Sequence, residues 1–110
     1  MKFYQNLYVG DTIKNPNKIK RKLRRHAKQL KIFVILLASG SDQLEICHSI
    51  LLEQPYYHRK ENIPYIVGIA GNYEEAVGLV CRITQEAVTR NGDADLKRYL
   101  FPETQTAGKA

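Results

Sequence analysis

Seven consecutive apolar residues, Ile32-Phe33-Val34-Ile35-Leu36-Leu37-Ala38, interrupt a chain whose polarity is otherwise mixed. Neither side of such a run gains from meeting water, because burying a Val, Leu, Ile or Phe side chain is worth about 1.5–3 kcal/mol. The run must therefore be covered on both faces. Its β-branched content suits the central strand of a sheet, and it is far short of the ~20 apolar residues that cross a bilayer.

The flanking segments supply partners for that strand. Ser39-Gly40-Ser41-Asp42 is a turn cluster, and behind it Leu44, Ile46, His48, Ile50 and Leu52 alternate with Glu45, Cys47, Ser49, Leu51 and Glu53. Alternation after a short turn predicts an antiparallel hairpin. Gln54–Asn62 reads as a polar, charged loop, and Ile63–Ala70 as a further strand. Upstream, Phe3, Leu7 and Val9 fall on one side at period two, which makes Met1–Gly10 a short strand.

Between Lys14 and Lys31 the chain places nine Lys or Arg and no Asp or Glu, although its total charge is only +6. The remainder, with eight basic and eleven acidic side chains, carries −3. Asn17 reads as an N-cap after Asn15-Pro16, and Ile19, Leu23, Ala27 and Leu30 then recur at helical spacing. A competing reading makes this stretch the first arm of a β-hairpin turning near His26-Ala27. The helix is preferred, because Lys, Arg, Leu and Ala are helix formers and β-branched residues are almost absent.

Asn72-Tyr73-Glu74-Glu75 carries the signature of a second helix. Asn72 caps it, Glu75 reaches back to the Asn72 amide, and both acids favour the positive end of the helix dipole. Tyr73, Ala76, Val77, Val80, Ile83, Thr84, Ala87 and Val88 form an apolar stripe, and Arg90-Asn91-Gly92 supplies the stop. Asp93 caps a brief helix through Leu100 that Pro102 ends, leaving residues 103–110 as a flexible tail.

A length of 110 residues, with 44% hydrophobic and 25% charged side chains, fits one folded domain, taken here as residues 1–102. The expected fold is α+β, with an antiparallel sheet of three or four strands. Two main helices pack on one face, in the order α-β-β-β-α plus the short C-terminal helix. Cys47 and Cys81 share no C-x-x-C or Cys/His ligand spacing and read as free core thiols. With no signal-peptide pattern at the N-terminus, the expected location is cytoplasmic.

Several patterns bear on function. Cations on flexible stems neutralise phosphates and release counterions without reading sequence, so Lys18, Lys20, Arg21, Lys22, Arg24, Arg25 and Lys28 form the candidate nucleic-acid surface. Arg59 and Lys60 add a second patch, and Tyr56 and Tyr57 beside them are candidates for stacking on unpaired bases. A solvated helix face is the plainer account of the first set, and a core cover that of one tyrosine. Gly68-Ile69-Ala70-Gly71 precedes a helix, yet Glu74 and Glu75 put negative charge where a phosphate would sit, so capping is preferred to phosphate binding. His26, His48 and His58 are scattered without ligand spacing, so neither a metal nor a cofactor is implied. His48 reads as a hydrogen-bonded, half-buried histidine rather than a general base. The leading expectation is a non-enzymatic module that contacts nucleic acid. The alternative is a protein-interaction or regulatory domain, homodimeric or docking an acidic partner, with no membrane partner in either case.

Tyr8-Val9-Gly10, Asp42-Gln43-Leu44-Glu45-Ile46, Gln54-Pro55-Tyr56-Tyr57, Val67-Gly68-Ile69-Ala70-Gly71 and Asp95-Leu96-Lys97-Arg98-Tyr99-Leu100 together resemble a group of short uncharacterised bacterial proteins. The likeness runs from Phe3 to Phe101. It implies a bacterial, intracellular, single-domain protein and carries over no functional residue. The expected element order is also similar to that of double-stranded-RNA-binding domains. Those grip phosphates with a Lys cluster at the start of the last helix, where this chain has Asn72-Tyr73-Glu74-Glu75. The Gly-x-x-Gly spacing of KH domains joins two helices, whereas at Gly68 a strand comes first.

Overall fold

The computed structural model describes residues 2–25, 30–37, 43–59 and 65–92, together with Leu96 and Leu100. Ala27, Lys28, Lys60, the turn at 39–42, the Asp93 cap and the tail at 103–110 lie outside the described residues.

The expected central strand forms as β2 (Phe33–Leu37) and pairs antiparallel with β3 (Leu44–His48), Phe33 facing His48 and Leu37 facing Leu44. Its other edge pairs antiparallel with β4 (Tyr65–Ala70). Beyond β4 lies β1 (Lys2–Val9), which runs parallel to it, so the sheet order is β1-β4-β2-β3. The architecture is α+β, but the sheet is mixed rather than antiparallel, and a strand precedes the basic helix. Turn signals report only hairpins between neighbours in sequence, and nothing local marks a parallel pairing such as Lys2 with Tyr65.

Strand alternation sends side chains to two cores. Val34, Leu36, Ile66 and Ile69 join Leu23, Leu30, Ile32 and Leu52 on one face. Ile35, Leu37, Val67 and Ala70 join Ala76, Leu79, Ile83, Ala87, Leu96 and Leu100 on the other. The helices therefore cover both faces, not one. Val34 and Ile35 are both fully buried although they point to opposite sides, which is what the apolar run demanded.

The first layer holds α1 (Pro16–Arg24), the 3-10 turn Ser49–Glu53 and the short helix α2 (Pro55–His58). Asn15, not Asn17, is the N-cap of α1, its Oδ1 accepting the Lys18 amide at 3.1 Å. Pro16 then takes the first helical position, where its missing N–H costs nothing. Leu23 is buried and Ile19 packs against the same cluster, while Leu30 is buried outside α1, three residues before β2. The alternation from Leu44 to Leu52 breaks at Ser49. Its Oγ donates to the Leu30 carbonyl at 2.7 Å and accepts the Ile32 amide at 3.2 Å, while its own amide bonds the Ile32 carbonyl at 2.8 Å. His48 Nδ1 accepts the Ile50 amide at 3.2 Å and so caps the turn. The expected loop after Gln54 thus opens with a helix that Pro55 starts.

The second layer is α3 (Tyr73–Asn91). Asn72 caps it through the Glu75 amide at 2.8 Å, and Gly92 ends it at φ 81, in the left-handed region that favours glycine. Its buried stripe is Ala76, Leu79, Ile83 and Ala87. Tyr73, Val77 and Val88, expected in that stripe, are exposed. The helix is rotated so that Leu79 points inward. Tyr8 Oη donates to Glu86 Oε2 at 2.8 Å, and the Arg82 guanidinium lies 5.5 Å from the Tyr8 ring centre, which fastens β1 to α3.

Candidate functional site

The basic helix carries three sets of cations around its apolar anchor. Lys20 and Arg24 lie over the Phe3 ring, at 5.9 and 4.9 Å from its centre, so part of their charge is engaged with the β1 edge. Lys18 and Lys22, one turn apart, line a cleft on the opposite flank. Arg21 and Arg25 are exposed on the outer side. No carboxylate among the described residues forms an ion pair with any of these six; the ion pair the structure gives is Arg82 with Glu86 at 3.5 Å. An amphipathic helix that docks through Leu23 and Ile19 must turn its remaining positions outward, and here every remaining position from Lys18 to Arg25 is a cation.

The second candidate patch follows α2. Arg59 is exposed, and α2 belongs to the same layer as α1, since Tyr57, Leu52 and Leu23 pack into one cluster. Tyr56 and Tyr57 meet edge to face at 5.0 Å. Tyr57 covers the core and burial pushes its hydroxyl pKa up, aided by Cys47, Glu45 and Tyr56. Tyr56 is 57% exposed, so of the pair it is the ring free to stack.

The cleft was not singled out from sequence. It is open, holds about 490 Å³, and is walled by Thr12, Ile13, Lys14, Asn15, Lys18 and Ile19 with Lys22, Ile32, Gly71 and Asn72. Its position follows from topology. The segment after β1 leads into α1 on one face, the segment after β4 leads into α3 on the other, and the two parallel strands end side by side between them. Glu75 closes the back of this junction. Its carboxylate accepts the Thr12 hydroxyl at 2.7 Å, the Gly71 amide at 2.8 Å and the Thr12 amide at 3.1 Å. The Thr12 hydroxyl first, then the Gly71 amide, hold its pKa below the usual value. Glu75 thus serves Gly71 rather than the Asn72 amide, and the capping role expected for this junction is extended to a second loop.

Other candidate chemistry is accounted for structurally. The His48 ring packs edge-on against Phe33 at 5.1 Å while its Nδ1 caps the turn. Among the described residues no three His, Cys, Asp or Glu side chains gather as metal ligands. Both cysteines are free. Cys47 packs on the α1 face, with its pKa raised to about 11 by burial and then by Glu45. Cys81, expected in the core, is exposed on α3. None of the described helices is long and apolar enough to cross a membrane.

Comparison with known proteins gives no match to a family model, to a curated protein or to a solved structure.

Proposed function

We propose that the protein is a binding module for nucleic-acid phosphates, with α1 as the contact surface. The observation that carries this reading is the set Lys18, Lys20, Arg21, Lys22, Arg24 and Arg25, which a buried Leu23 mounts on the sheet and which no described carboxylate neutralises. A face of this kind attracts a polyanion over the Debye length of roughly 8 Å at physiological salt. Arg21 and Arg25 form the outermost contacts. Arg59, exposed after α2 in the same layer, extends this surface, Lys28 and Lys60 add to the charge of the adjoining sequence, and exposed Tyr56 adds a stacking ring where bases are unpaired.

Measurement of affinity against salt tests this directly. If five to seven cations touch phosphates on duplex DNA, log affinity falls against log salt with a slope of about −4 to −6. Arg21→Gln with Arg25→Gln should make that slope shallower by about 2. A flat dependence, or failure to bind heparin and DNA at low salt, rejects the reading. Purification with and without nuclease separates it from the alternative, in which a discrete acidic protein remains bound regardless of nuclease.

A further inference from the structure

We propose that the cleft at the carboxyl ends of β1 and β4 is a second binding site, sharing Lys18 and Lys22 with the α1 surface, for a phosphomonoester joined to a flat ring with apolar faces, the chemistry of a mononucleotide. In sheets with parallel strands, ligands bind outside the strand carboxyl ends where successive connections leave to opposite faces, because the diverging loops leave a crevice there. β1 and β4 meet that condition, and the cleft lies between their outgoing segments, with Thr12 to Asn15 on one side and Gly71 and Asn72 on the other. Its volume of about 490 Å³ is within the range of small-molecule sites, roughly 300–1,000 Å³.

The lining specifies the ligand class. Lys14, Lys18 and Lys22 bring three positive charges to one opening, and no Asp or Glu among the described residues lines it. Glu75, the acid bonded to this junction, is not a wall of the cleft, and Thr12 and Gly71 occupy its carboxylate. Asn15 and Asn72 commit Oδ1 to the caps of α1 and α3, which leaves their NH₂ groups as donors. Ile13, Ile19 and Ile32 supply the apolar wall that a base or similar ring needs. Donors and cations for a phosphate thus adjoin an aliphatic surface, an arrangement that a bare inorganic anion would use only in part.

Lys18 and Lys22 belong to both surfaces, whereas Thr12, Lys14 and Gly71 belong to the cleft alone and Arg21 and Arg25 do not line it, so the two sites can be tested apart. The ligand of the cleft has two sources, a free mononucleotide or the phosphorylated end of a strand. Isotope-labelled protein would be titrated by NMR with a nucleoside monophosphate, the matching nucleoside, and a short oligonucleotide with and without a terminal phosphate. The expected result is saturable perturbation of the amides from Thr12 to Asn15 and at Gly71, which line the cleft off α1, by a phosphorylated ligand but not by its dephosphorylated form. If the monophosphate acts, the source is a free nucleotide; if only the end-phosphorylated strand acts, the source is a strand end. Lys18→Gln with Lys22→Gln should weaken binding in the cleft by about tenfold or more, whereas Arg21→Gln with Arg25→Gln should change the response of the Thr12 and Gly71 amides to the monophosphate by no more than about twofold. Absence of perturbation by both phosphorylated ligands overturns the proposal, as does an equal response to the nucleoside, or undiminished binding in a natively folded Lys18→Gln/Lys22→Gln variant. Each of these outcomes holds whatever the salt slope on DNA.

Discussion

Thr12 Oγ1 donates to Glu75 Oε1 across 2.7 Å, joining positions 63 residues apart in sequence. The bond exists because two glycines let the segments converge. A Cβ on Gly10 would overlap the Glu75 carboxylate, and one on Gly71 would overlap the Thr12 hydroxyl. Gly10→Ala should therefore expel the Glu75 side chain from its three hydrogen bonds at a cost of about 1–3 kcal/mol, read as a lower urea midpoint. Glu75→Ala should cost a similar amount, and the double variant little more than either alone, because both remove the same contacts. Fully additive losses would show that Gly10 acts elsewhere.

The same carboxylate makes stability depend on pH. Its folded pKa lies below the ordinary 4.5, chiefly through the Thr12 hydroxyl and the Gly71 amide. The unfolded chain therefore takes up a proton first as pH falls. The contribution is complete above the unfolded pKa, declines as pH drops below about 4.5, and is lost once the folded pKa is passed. Glu75→Gln should flatten that part of the stability profile relative to the parent. Identical acid limbs in thermal melts would exclude Glu75 as the sensor.

Ser49 is 5% exposed and bonds both the Leu30 carbonyl and the Ile32 amide through one hydroxyl. Removing that hydroxyl leaves two buried backbone groups unpaired. Ser49→Ala should destabilise by about 1–3 kcal/mol, seen as a fall in melting temperature. A neutral Ser49→Ala would mean that water replaces the hydroxyl.

Thiol chemistry should separate the two cysteines. Raising Cys47 from 9.0 to about 11 lowers its thiolate population near neutrality by about a hundredfold relative to an ordinary thiol, and the residue is half-buried besides. Alkylation under native conditions followed by peptide mass spectrometry should find Cys81 modified first. Equal rates at both would contradict the packing of Cys47 against the α1-side core.

Much of this arrangement is legible in the sequence, element by element. Ile32–Ala38 announces a strand with cover on both sides, and Asn72 with Gly92 brackets α3 to the residue. The two-sided cover and an expectation of helices on one face were in conflict, and the buried pair Val34 and Ile35 resolves it in favour of two layers. What the residues do not display is pairing at a distance. β1 has period-two signals but no mark of its partner, and α1 ends at Arg24 although Leu30 continues the apolar spacing. The cleft is hidden for the same reason, since Lys14 and Gly71 become neighbours only once β1 and β4 lie parallel. Lys18 and Lys22 are legible in the sequence as part of a basic helix face, not as walls of a cleft beside Gly71.

The parallel β1–β4 pair also orders the folding of the chain as it is made. The β2–β3 hairpin can close as soon as His48 is available, whereas Lys2–Val9 has no partner until Ala70 has been synthesised. Through that interval Phe3, Leu7 and Val9 have no core to enter, so β1 presents an unpaired apolar edge to chaperones and to neighbouring chains. Of the four strands, the one made first must wait for the one made last.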